Sequence, residues 1–119
     1  MGSMGLGVTA IALLVTPVLA QKSEQVKPVF EHAITNIEGK TLAALVVTYG
    51  PSGKSVPHHH AGSAFVYAHV LSGAIRSRVN DEPAKVYRVG EGFYEVPGSY
   101  HRISENASDR ESASLLAQA

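Results

Sequence analysis

Beyond residue 25 no stretch of this chain sustains apolar residues at helical spacing. It breaks instead into short runs, several rich in β-branched or aromatic residues, most of them stopped by Gly, Pro or Asn. Residues 41–49 (TLAALVVTY) end at Gly50, residues 65–72 (FVYAHVLS) end at Gly73, and residues 93–96 end at Pro97-Gly98. Further short runs at 26–34, 85–88 and 113–117 keep the rhythm, with turns at 36–40 and 80–83. The unbroken apolar character of 41–49 predicts a buried strand, and the alternation of Arg76 and Arg78 with small or apolar residues predicts an edge or half-exposed strand over 74–79. A chain punctuated this way folds as an all-β barrel or sandwich.

The length of 119 residues bounds this to one domain. Ten basic residues balance ten acidic ones and no basic tract occurs, which argues against nucleic acid or an anionic membrane surface as partner. Residues 4–20 carry no charge and place the small residues Val18 and Ala20 ahead of Gln21, the pattern of an export leader. The expected organisation is therefore a leader or hydrophobic arm at 1–20 and a β domain at 21–119, with the protein periplasmic or secreted. Membrane contact follows only if residues 4–20 stay uncleaved. With no cysteine, disulfides and thiolate chemistry are excluded. Asn106-Ala107-Ser108 matches the glycosylation sequon, a triplet expected here by chance.

Three of the six histidines stand together in Pro57-His58-His59-His60-Ala61-Gly62, after the Gly50-Pro51-Ser52-Gly53 loop. If a strand begins there, His58 and His60 share one face, because side chains alternate with period two, and His59 turns away. Two neutral imidazoles aimed at one point are half of a metal site. His32 has nothing near it in sequence to recruit it and is expected to be structural or exposed.

Residues 58–106 resemble the two signature motifs of the cupin family. The first runs His-x-His, a carboxylate four residues on, then a glycine that ends the strand; His58, His60 and Gly73 match it. The second runs Gly, five residues, Pro-x-Gly, two residues, His and a following Asn; Gly90, Pro97, Gly98, His101 and Asn106 match it. Val96 stands where the first proline usually does, and Asn106 falls one residue late. The resemblance implies a cupin-like jelly-roll β-barrel with His58, His60 and His101 binding one divalent metal, whether Fe, Zn, Mn, Ni, Co or Cu. The carboxylate does not carry over, since Ala64 occupies its position.

A three-histidine centre leaves the metal charge uncompensated and its bound water more acidic. Glu95, on the run leading into the second motif, is one candidate to replace the lost carboxylate, as ligand, as orienting group or as general base. His69 is another, but needs a bulge to reach the inward face. Tyr100, next to His101, is a candidate proton carrier at the barrel mouth. Phe65, Tyr67, Phe93, Tyr94 and Tyr100 cluster around the motifs and are expected to divide between a cavity lining and outer surfaces. Arg76 and Arg78 are expected on a solvated face. The resulting reading is a metal-dependent enzyme of dioxygenase-like type acting on a small molecule. A non-catalytic module that captures a small ligand or metal is the alternative, and homodimerisation through sheet faces is expected in either case.

Overall fold

The computed structural model describes residues 23–119, so the leader-like run at 4–20 lies outside the described residues. Among the described residues nine strands form: β1 (Glu24–Ala33), β2 (Thr41–Tyr49), β3 (His58–His59), β4 (Val66–Ser72), β5 (Ala74–Val79), β6 (Lys85–Arg88), β7 (Gly92–Glu95), β8 (Tyr100–Asn106) and β9 (Ala113–Gln118). No helix among them is long and apolar enough to cross a membrane. The strands make a five-stranded sheet, ordered β1-β2-β9-β4-β7, and a four-stranded sheet, ordered β3-β8-β5-β6. Every pairing is antiparallel. Because β9 inserts between β2 and β4, and β8 between β3 and β5, the chain winds as a jelly roll.

The crossing from β4 in one sheet to β5 in the other takes a single residue, Gly73. It sits at φ +69°, where a Cβ would lie 2.8 Å from the Cβ of Ala113, so conformation and space both demand glycine. Alternation sends Ala68 and Val70 of β4, Ile75 of β5, Phe93 of β7 and Ala113 and Leu115 of β9 into one core with Tyr49. Ile75 and Val70 are almost wholly buried, and burial of such a side chain contributes about 1.5–3 kcal/mol.

One expectation changes. Residues 41–49 do form one strand, but only Ala44 and Tyr49 are buried, and the odd interval between them in an unbroken register puts them on opposite faces. Residues 74–79 form the half-exposed of the two strands expected there, not an edge: β5 lies between β8 and β6, with Ile75 and Ser77 inward and Arg76 paired outward with Glu105 at 2.7 Å.

One irregularity positions the site. Val79 pairs with His101 but Arg78 pairs with Ile103, leaving Arg102 as an extra residue on β8. This bulge shifts the phase of β8, so that His101, Ser104 and Asn106 all face inward although odd intervals separate His101 from both. The late placement of Asn106 in the second motif is thereby absorbed. Its side chain, 4% exposed, donates to the carbonyls of Gly50 (3.0 Å) and Glu111 (2.6 Å) and accepts from the Ser108 amide (2.9 Å). Asn106 is a staple for two loops, and the amide nitrogen that a sequon would offer is buried and already bonded.

Candidate metal centre

The histidine triplet enters the four-stranded sheet through β3, only two residues long, which pairs with β8 so that His58 faces His101 and His59 faces Tyr100. The His60 amide donates to the Ser99 carbonyl (3.0 Å) and the Gly98 amide to the Ala61 carbonyl (3.1 Å), lacing the first motif to the second. The rings of His58 and His60 meet edge-on at 4.9 Å, and His58 lies 5.4 Å from His101. Candidate ligand atoms of His58, His60 and His101 all fall within 4.8 Å of one another. These three form a group that could hold a metal ion.

The tautomer of His58 follows from its partner. The Val56 carbonyl, which can only accept, lies 2.8 Å from Nδ1; that nitrogen carries the proton and Nε2 presents its lone pair to the cluster. His101 is held by the Ser77 hydroxyl, 2.8 Å from Nε2, and by the Phe93 ring at 5.7 Å. Burial lowers its pKa to about 4; the Glu95 charge opposes that shift, and His58 and His60 reinforce it. At neutral pH the imidazole is therefore uncharged, the form that binds metals.

Glu95 faces inward from β7, 2% exposed, and so reaches the cluster from the opposite sheet. Its Oε1 lies 2.9 Å from His60 Nε2 and its Oε2 3.3 Å from His101 Nδ1. The shorter contact has the length of an ion pair but not the geometry of a hydrogen bond. His60 Nε2 and Glu95 Oε1 are both buried without a hydrogen-bond partner. Leaving a buried polar atom unpaired costs about 1–3 kcal/mol, and native folds seldom do it twice at one point unless something else belongs there. The donor set and these orphaned atoms fit a divalent cation.

The other candidates lie elsewhere. Tyr100 on β8 shares the outer face of the four-stranded sheet with His59 on β3, its ring 4.3 Å from that imidazole and 4.9 Å from the Arg102 guanidinium. Because alternation turns it away from His101, the proton-carrying role expected of it loses its geometric basis. His69 also faces outward and bonds the Tyr67 hydroxyl at 3.0 Å; the β4 bulge comes after Val70, too late to turn it inward. Of the aromatic cluster, Phe93 is buried, whereas Phe65, Tyr67 and Tyr94 are exposed and Phe65 stacks on Tyr94 at 5.7 Å. His32 is exposed on β1. Ser77, absent from the sequence reading, carries a signal visible only in retrospect: it is the small polar residue between two outward arginines.

An open cleft of about 490 Å³ has Ser77 and Phe93 in its wall with Lys85, Tyr87 and Val79 around them, and none of the three histidines lines it. Both wall residues touch His101. Two concavities of about 530 and 570 Å³ lie around Ser52, Lys54 and Glu105, with none of the three histidines in their lining.

A two-sheet antiparallel barrel carrying three clustered histidines at one end defines the class. Residues 45–118 match the cupin domain, more than half of the chain, and the chain belongs to that family. No curated protein matches it significantly. Among solved structures it is similar to an oxalate oxidase in complex with the substrate analogue glycolate, at 18% identity and TM-score 0.64, covering 81% of this chain and 50% of that one. It is also similar to the cupin domain of Schizosaccharomyces pombe Cnp3 (18%, TM-score 0.64, 80% and 59%). A cupin-2 domain from Rhodospirillum rubrum is similar to the same degree (18%, TM-score 0.62, 81% and 58%). The chain spans about half the length of the oxalate oxidase, and at these identities the likeness establishes the fold alone.

Proposed function

We propose that this protein is a metal-dependent cupin enzyme of dioxygenase-like type, acting on a small organic molecule, with His58, His60 and His101 holding one divalent metal. The observation that carries the reading is the convergence of the three imidazoles within 4.8 Å around an unpartnered, buried His60 Nε2. A metal bound there would supply Lewis acidity and a binding point for oxygen or for an anionic group of the substrate. The protein's part is to keep the His101 imidazole neutral by burial and to fix the rings of His58 and His101 through the Val56 carbonyl and the Ser77 hydroxyl. The cleft beside Phe93 and Tyr87 is the candidate approach for a small molecule, since two of its wall residues, Ser77 and Phe93, touch His101. The glycolate complex of the similar oxalate oxidase supports a small oxygen-rich substrate.

Export is part of the proposal, resting on the uncharged residues 4–20. So is self-association through the outer face of the five-stranded sheet, resting on exposed Phe65, Tyr67 and Tyr94. The test is elemental analysis of tag-free protein. One divalent metal per chain is expected, and His101→Ala should lose it. Protein without stoichiometric metal, together with a His101→Ala variant of unchanged metal content, would refute the proposal.

A further inference from the structure

Ala64 leaves the first motif without its carboxylate, and the sequence offers Glu95 and His69 as candidates to take its place. The geometry points to a replacement: we infer that Glu95, delivered from β7 across the barrel, is the fourth protein ligand of the metal held by His58, His60 and His101. The inference rests on the metal-binding reading and specifies the composition of that centre.

Three observations carry it. Glu95 is a carboxylate with 2% exposure in an apolar wall between Phe93 and the β4 core residues Val66 and Ala68, a position that charge disfavours unless it is compensated. Each of its oxygens faces a different imidazole nitrogen, at 2.9 and 3.3 Å. Ligand atoms bonded to one ion at about 2.1 Å lie from about 3.0 Å apart in an octahedron to about 3.4 Å in a tetrahedron. The 2.9 and 3.3 Å contacts match that spacing.

The third observation separates a ligand from a partner that only orients a histidine. An orienting carboxylate accepts an N–H from the ring, but the His60 contact lacks hydrogen-bond geometry and leaves both atoms unpaired. With the proton of His60 on Nδ1, two lone pairs would face each other at this distance, and a cation between them would resolve the repulsion. Glu95 would also neutralise one of the two metal charges, so bound water would be less acidic than at a three-histidine centre.

The test is titration of tag-free wild-type protein with Co²⁺ alone, followed by visible absorption, alongside Glu95→Gln, Glu95→Asp and His101→Ala. Wild type should bind one equivalent. Glu95→Gln should weaken binding by more than about 100-fold, beyond the 10- to 100-fold that losing an orienting partner costs, and should shift the Co²⁺ bands. Glu95→Asp, which keeps the charge on a shorter arm, should lose less affinity but also shift the bands. Glu95→Gln with bands unchanged and affinity within about 100-fold of wild type overturns the inference and leaves the histidine centre standing. If Glu95→Gln does not fold, Glu95→Asp decides, and unchanged bands overturn it. Wild type that binds no Co²⁺, or His101→Ala that binds like wild type, instead brings down the histidine centre itself.

Discussion

Tyr49 and Glu95 are about equally buried, at 1% and 2% exposure, yet the barrel treats their polar atoms in opposite ways. The Tyr49 hydroxyl bonds the hydroxyls of Ser55 (2.6 Å) and Ser104 (2.7 Å), and Ser55 in turn donates to Glu24. Asn106, nearby on β8, has its amide and carbonyl engaged by loop backbone. Around Glu95 the bonding is incomplete, with His60 Nε2 and Glu95 Oε1 lacking partners. The difference distinguishes two uses of buried polarity in one barrel. A closed network fixes structure, whereas an open one at equal depth marks a place for a ligand.

The comparison can be broken most sharply at Asn106. Asn106→Ala strands two carbonyls and an amide at once, and should cost about 3 kcal/mol or more in denaturant unfolding while metal content stays that of wild type. A cost near zero would mean that the closed network is not structural. Tyr49→Phe removes one hydroxyl shared by two serines and should cost about 1–2 kcal/mol in the same measurement, again with metal retained.

A pH series of the metal-free protein should show further effects at opposite ends of the scale. His101 is held at about 4 when folded against 6.5 when unfolded, so below pH 6.5 the unfolded chain binds the extra proton. Its contribution is complete above pH 6.5 and is lost as pH falls towards 4. Burial raises Tyr49 to about 12, with its serine bonds opposing the shift. The unfolded chain therefore gives up its proton first, and stability falls between pH 10 and 12. Thermal unfolding across both windows checks the pair, and Tyr49→Phe should abolish the alkaline loss alone.

Much of this was legible in the sequence for identifiable reasons. Strand positions followed from Gly and Pro punctuation, and the pairing of His58 with His60 followed from period-two alternation, even though β3 proved only two residues long. What alternation cannot show is a change of phase. The Arg102 bulge is a property of how β8 pairs with β5, and without it the interval from His101 to Asn106 reads as a departure from the motif. Tyr100 adjoins His101 in sequence, but neighbours on a strand face opposite ways, and its ring packs on His59 and Arg102 instead. The inward direction of Glu95 needed the register of β7 against β4, which pairs it with buried Val66. Ser77 carries no motif of its own, and only the register that turns it inward between Arg76 and Arg78 brings it to His101.

The distribution of the four candidate ligands over the fold has a mechanical consequence. His58 and His101 ride on the four-stranded sheet and Glu95 on the five-stranded sheet, so an ion held by all of them is a rivet through the sandwich. A cation that binds only the folded chain adds about 2.7 kcal/mol of stability at a hundred times its dissociation constant. Here that gain would resist the sliding of one sheet past the other at the end where Gly73 makes no contribution. Loss of the ion would then loosen the barrel wall as well as silence the site.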